Sequence, residues 1–167
     1  MDKKQILEQK SGEHKSVVNE ILDNPDIRDQ FILKLTYHSN SIEGSTLTEP
    51  DTAAILFDDV ALPNKSLTEQ LEAKNYQTAL NYLFDHIALY ERAKIDDRDY
   101  GRVGRLLMNA MLLNANFAPA IIRQEQKRLY YTYLYKAQTE DDHSQLEDFL
   151  CDAIMDGFKI LDRTDER

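Results

Sequence analysis

Two short segments of this 167-residue chain hold residue types that can do chemistry together. The first is Gly101-Arg102-Val103-Gly104-Arg105, which runs into the apolar stretch Leu106-Leu107-Met108-Asn109-Ala110-Met111-Leu112-Leu113. A helix beginning here presents unpaired N–H groups and the positive end of its dipole. Glycines let an anion approach the backbone, and arginines add bidentate charged donors, a combination suited to a polyphosphate. The same residues also suit a surface glycine turn with two solvated arginines. The second segment is Ser39-Asn40-Ser41-Ile42-Glu43-Gly44. By itself it reads as an ordinary polar helix end, with Gly44 as the left-handed stop. Glu43 then lies against the negative end of that helix dipole, which is unfavourable unless a cation such as Arg102 or Arg105 pairs with it.

Other polar groups are less specific. Asp96, Asp97 and Asp99 precede the glycine turn. Such carboxylates can share Mg²⁺ with phosphate oxygens, and they equally suit a solvated charged loop. His14, His38, His86 and His143 are scattered, without metal-ligand spacing. Tyr130, Tyr131, Tyr133 and Tyr135 read as core and rim of a helix, with hydroxyls that can also accept hydrogen bonds. The single cysteine, Cys151, excludes an internal disulfide and a Cys-based zinc site, and its apolar neighbours suit an inert core position.

These residues need helices to position them. Five Gly and four Pro are too few for a turn-rich β-sandwich, and no segment alternates with period two. The expected fold is an all-α, single-domain helical bundle. Residues 3–22 suit one or two short helices broken near Ser11-Gly12. Asn24-Pro25-Asp26 signals a start, followed by Ile27, Phe31, Ile32 and Leu35 at helical spacing. Thr48 caps the next helix with Asp51 three residues on. Ser66 opens a long one with a stripe of Leu67, Leu71, Ala79, Leu83, Ile87 and Tyr90. The helix after Gly101 reads as buried and central, ended by Asn114-Ala115-Asn116 and Pro119. A helix over Gln124 to Ala137 turns Leu129, Tyr130, Tyr133 and Leu134 inward. Ser144 and Glu147 form a capping box for the last helix, whose inner face runs from Leu146 to Leu161. The expected organisation is a helical extension over 1–26, a core over 27–162 and a tail over 163–167.

Lys plus Arg number 20 and Asp plus Glu 30, a net charge of −10. That disfavours coating nucleic acid or an anionic membrane, both of which select a basic face. No apolar region follows Met1-Asp2-Lys3-Lys4-Gln5, and no apolar run is long enough to span a bilayer, so the cytoplasm is the expected compartment.

Read together, the two polar segments resemble the Fic/Doc (fido) family. His38 to Thr48 looks like that family's inhibitory helix, whose pattern is Ser/Thr-x-x-x-Glu-Gly/Asn. Gly101 to Asn109 looks like the end of its active-site motif, HxFx(D/E)GNGRxxR. Lys65-Ser66-Leu67, Glu72 to Tyr76, Ala118 to Ile122 and the Tyr130–Ala137 helix also fit. The resemblance covers residues 27–90 and 101–160. It implies a protein adenylyltransferase that uses ATP and Mg²⁺ and moves AMP to a Ser, Thr or Tyr hydroxyl of a target protein (AMPylation). It implies that Gly101, Arg102, Gly104 and Arg105 cradle the phosphates. It implies that Ser39, Glu43 and Gly44 belong to the inhibitory element, with Glu43 pairing Arg105.

The chain departs from the pattern before Gly101. Without a gap, Lys94, Asp96, Arg98 and Tyr100 occupy the places of the motif His, Phe, Asp/Glu and Asn; with a one-residue gap, Asp99 becomes the metal ligand. Neither register supplies the His that acts as general base. Several dozen residues usual in the family, including a β-hairpin flap that docks the target, have no counterpart ahead of the motif. A shortened relative and a chain that has lost an internal segment both account for this. Two functions follow: an adenylyltransferase held off by Glu43, whose missing base argues against full activity, or a non-catalytic Fic-like module that binds a partner.

Overall fold

Helix starts in this chain are written as caps, and the computed structural model, which describes residues 1–87 and 101–163, uses most of them. Eight α-helices are described: α1 Lys3–Glu13, α2 Val17–Asp23, α3 Pro25–Ile42, α4 Glu49–Phe57, α5 Leu67–His86, α6 Arg102–Asn114, α7 Lys127–Thr139 and α8 Ser144–Asp162. A 3₁₀ turn, Gln124–Gln126, leads into α7. Among the described residues there is no strand, so the unit is all-α. None of the described helices is long and apolar enough to cross a membrane.

Asn24 caps α3 by accepting from the Asp26 and Ile27 N–H groups, and Pro25 takes the first helical position, where no N–H is needed. Thr48 and Asp51 form the reciprocal box that opens α4, and Ser66 caps α5. Gly44, at φ +101°, ends α3, a conformation glycine takes without the Cβ penalty.

The core lies between α3, α5 and α8, around Phe31, Leu80, Phe84 and Phe158. α1 packs on α8, and α2 packs on α3 and α5, so Leu7, Val17 and Ile21 join the same apolar cluster. The break between α1 and α2 falls at His14–Ser16 rather than at Ser11-Gly12. Asn116 fixes that corner: its side chain accepts from the Val17 N–H and donates to the Ser11 and His14 carbonyls.

Three apolar stripes lie differently from their sequence-based expectation. On α5 the inner line is Gln70, Ala73, Tyr76, Leu80 and Phe84, whereas Leu67 and Leu71 are exposed. Gln70 holds the preceding loop by bonding both the N–H and the carbonyl of Leu62, and the same face buries Ala73, Leu80 and Phe84 where α5 packs on α3 and α4. α6 is not a buried central helix: only Arg105, Asn109 and Leu113 are buried, and Met111 is 59% exposed. On α7, Leu129 is exposed, while Tyr130 and Tyr133 pack on Phe149 of α8. The Ser144–Glu147 capping box also does not form. His143 is the N-cap, and the Asp142 carboxylate takes both the N–H and the hydroxyl of Ser144.

The segment from Phe117 to Arg123 threads between α6 and α8. The Ala120 N–H donates to Asn109 of α6, and the Ile121 N–H to the Ala153 carbonyl of α8. Gly157 makes the passage possible, since a Cβ there would stand 2.1 Å from the Pro119 carbonyl oxygen.

Candidate anion site where α3 ends and α6 begins

The C-terminal turn of α3 and the N-terminal turn of α6 meet. α3 ends on Glu43, whose N–H closes on the Asn40 carbonyl, and Gly44 turns the chain away. α6 starts on Gly101, at φ +89°, with no side chain capping its first turn. A Cβ on Gly101 would stand 2.8 Å from Glu43 Oε1, so glycine is required both for the backbone angle and for the close approach of the carboxylate.

Arg105 lies one turn into α6 and is 4% exposed. Its Nε donates to Ser39 Oγ at 2.9 Å, and its Nη2 donates to the Ser39 carbonyl at 3.1 Å and to Glu43 Oε1 at 2.8 Å. Nη1 is buried and has no hydrogen-bond partner among the described residues. Burial is the largest single influence and opposes the Arg105 charge, but the Glu43 carboxylate together with Tyr76 and Tyr130 moves the guanidinium further into its charged range. Arg102 is more open. It donates to Asn40 Oδ1 at 3.3 Å and pairs with Glu72 of α5 at 3.1 Å. Each arginine of the turn thus faces a carboxylate from a different helix. The hydroxyl of Tyr131, on α7, donates to the same Glu43 Oε1 at 3.2 Å.

The structure therefore brings together Ser39, Glu43, Gly101, Arg102 and Arg105, with Gly44 as the turn that makes room. Gly104, in the same first turn of α6, also lines an apolar cleft of about 380 Å³ with Leu107, Met111, Leu112 and Phe117. Asp99, the metal-ligand candidate, and its neighbours Asp96 and Asp97 lie outside the described residues. Among the described residues no cluster of His, Cys, Asp or Glu could hold a metal ion. Asn40, Glu72 and Tyr131 were not legible as site residues. Tyr131 is 88 positions from Glu43, and nothing in its local pattern separates it from the neighbouring tyrosines.

What the arrangement offers chemically is a helix N-terminus, two arginines and a glycine turn, with a carboxylate of the protein's own lying against them. Such a turn selects anions. Glu43 stands within contact distance of Gly101 and Arg105, where an incoming anion would have to approach.

No family model matches the sequence. A protein adenylyltransferase Fic of Nematostella vectensis is 25% identical over 185 residues, 63% of this chain and 43% of that protein. One of Drosophila willistoni is 34% identical over 90 residues, 54% of this chain and 17% of that protein. The chain thus matches less than half the length of either relative. The Nematostella alignment is longer than the whole 167-residue chain yet takes up only part of it, so that relative carries internal residues with no counterpart here. Among solved structures, Fic-1 (residues 134–508) of C. elegans superposes with a TM-score of 0.73 at 17% identity, over 94% of this chain and 69% of that one. The helical unit of this chain thus has the fold of a Fic (fido) domain and is similar in sequence to Fic adenylyltransferases.

Proposed function

We propose that this domain is a protein adenylyltransferase of the Fic type, with the first turn of α6 as its ATP phosphate seat and Glu43 as a built-in competitor for that seat. One observation carries the reading: Glu43 Oε1 is 2.8 Å from Arg105 Nη2 and lies against the bare Cα of Gly101. A carboxylate at the N-terminus of a helix takes the place a phosphate would take. The named relatives, both adenylyltransferases, support ATP as the donor and a protein as the acceptor.

In the reaction a target hydroxyl oxygen attacks the α-phosphorus, the bond to the departing pyrophosphate breaks, and AMP remains on the target oxygen. Arg102 and Arg105 neutralise phosphate charge, and the Gly101 turn admits the phosphates to the backbone N–H groups. Arg105 does so only after Glu43 has released it. Mg²⁺ would supply further charge neutralisation, and no step is assigned to it from the described residues. The hydroxyl proton needs a base. The four histidines bond elsewhere: His14 to Glu20, His38 to the Gln124 N–H, His86 to the Tyr82 carbonyl and His143 to Asp141. Burial keeps His38 neutral and lowers its pKa. Losing a general base costs ~10²–10⁴-fold in rate. That observation favours a second reading, a nucleotide-binding or purely protein-binding module without turnover.

Calorimetry of ATP with Mg²⁺ against the wild type and Glu43→Gly tests the site. Removing a charged competitor is expected to tighten binding about tenfold or more. Equal affinity of the two proteins would refute the competitor role. Transfer from α-labelled ATP by Glu43→Gly in a cell lysate then separates the two functions. Labelled protein supports the transferase, and ATP binding without label supports the module.

A further inference from the structure

Three helices converge on one carboxylate oxygen. Glu43 leaves the end of α3, Arg105 reaches it from α6, and Tyr131 reaches it from α7. An ionised carboxylate can only accept, so the phenol of Tyr131 is the donor. Burial and the neighbouring Glu43 charge both push the Tyr131 phenol above its ordinary range, which keeps it protonated. The direction of Tyr131 is set on the other side of its helix. Tyr130 and Tyr133 pack on Phe149 of α8, with ring centroids 6.1 and 6.0 Å away. That packing turns α7 so that the next residue, Tyr131, faces the α3–α6 junction. Arg105 alone leaves the carboxylate free to swing about a single contact. A second donor on the same oxygen, from a different helix, removes that freedom.

We propose that Tyr131 is a positioning residue that holds Glu43 closed over the first turn of α6, so that α7 takes part in setting how readily the phosphate seat opens. The proposal rests on the reading of Glu43 as a competitor for that seat. A ligand or partner that draws the Tyr131 hydroxyl away, or tilts α7 off Phe149, would loosen Glu43.

The test is a double-mutant cycle on the full chain, read as the affinity for ATP with Mg²⁺ by calorimetry. Tyr131→Phe keeps the ring and deletes only the hydroxyl. It is expected to bind ATP about two- to tenfold more tightly than the wild type, the range one hydrogen bond supplies. Glu43→Gly is expected to bind more tightly still, and Tyr131→Phe added to Glu43→Gly should change nothing further. A merely structural effect of the hydroxyl would persist in the Glu43→Gly background, and that result overturns the proposal. So does a Tyr131→Phe protein that binds like the wild type while Glu43→Gly gains, in which case the competitor role of Glu43 stands alone. If Glu43→Gly itself gains nothing, the reading of the site falls and the proposal falls with it. Thermal unfolding of each variant confirms that the affinities compare folded proteins.

Discussion

α6 and α8 carry comparably apolar sequences and are used in opposite ways. α8 buries Phe149, Ala153, Ile154, Phe158 and Leu161 against the core. α6 buries Arg105, Asn109 and Leu113, leaving Val103 and Met111 exposed and Leu107 along an open cleft. Burial is decided by what stands opposite a helix, and opposite α6 stand the polar end of α3 and the extended segment before α7. A polar inward stripe is tolerated only when each group finds a partner. Arg105 finds Ser39 and Glu43, and Asn109 finds the Ala120 N–H. One helix thus supplies stability, and the other holds a charged group at a helix junction.

The contrast can be broken by mutation. Phe158→Ala, in the fully buried face of α8, should cost about 3–5 kcal/mol in urea unfolding. Met111→Ser, in the apolar run of α6, should stay within about 0.5 kcal/mol. Similar costs for the two would mean that the face of α6 is covered after all. A finer contrast lies within α6. Arg105→Ala leaves Ser39 and Glu43 without their partner beside a buried cavity and should cost about 2–3 kcal/mol. Arg102→Ala removes a half-exposed pair with Glu72 and should cost under about 1 kcal/mol. If Arg102→Ala proves the more damaging, the assignment of Arg105 as the structural anchor of the junction is wrong.

The smallest effect is a pH dependence at the back of the same junction. His38 is buried, accepts the Gln124 N–H through Nδ1, and has its pKa lowered below 6.5 by burial. The unfolded chain therefore takes up a proton near pH 6.5 that the native state refuses. The stability this position contributes is present above that pH and falls as the pH drops towards the folded value. His38→Gln, whose side-chain oxygen can accept the same N–H, should lose less stability than the wild type between pH 7 and 5. Parallel loss in both proteins would place the acid sensitivity elsewhere.

The two polar segments of the site were legible because their signals are local. Gly44 marks a helix end, and Gly101 marks a helix start beside two arginines. The demand of Glu43 for a cation was legible too, since a carboxylate at a helix C-terminus is unfavourable alone. Residue spacing alone did not say which arginine answers it, because Arg102 and Arg105 differ only in which side of α6 they occupy; the family resemblance pointed to Arg105, and Glu43 pairs with it. Leu67 and Leu71 misled for a related reason. Helical spacing identifies stripes, and more than one stripe of α5 is apolar enough to turn inward. Choosing among them took the packing of α5 on α3 and α4.

The sequence by itself determined where most helices start and stop. Asn24-Pro25, Thr48 with Asp51, Ser66 and Gly44 act on backbone groups within four residues of themselves, and so work before any tertiary contact exists. Tertiary structure alone decided the junction. Glu43 meets Arg105 across 62 positions and Tyr131 across 88, and each pairing depends on how whole helices pack rather than on any neighbouring residue. Local hydrogen bonds set the ends of the helices. Long-range packing of aromatic and apolar faces set which of their polar side chains share one oxygen.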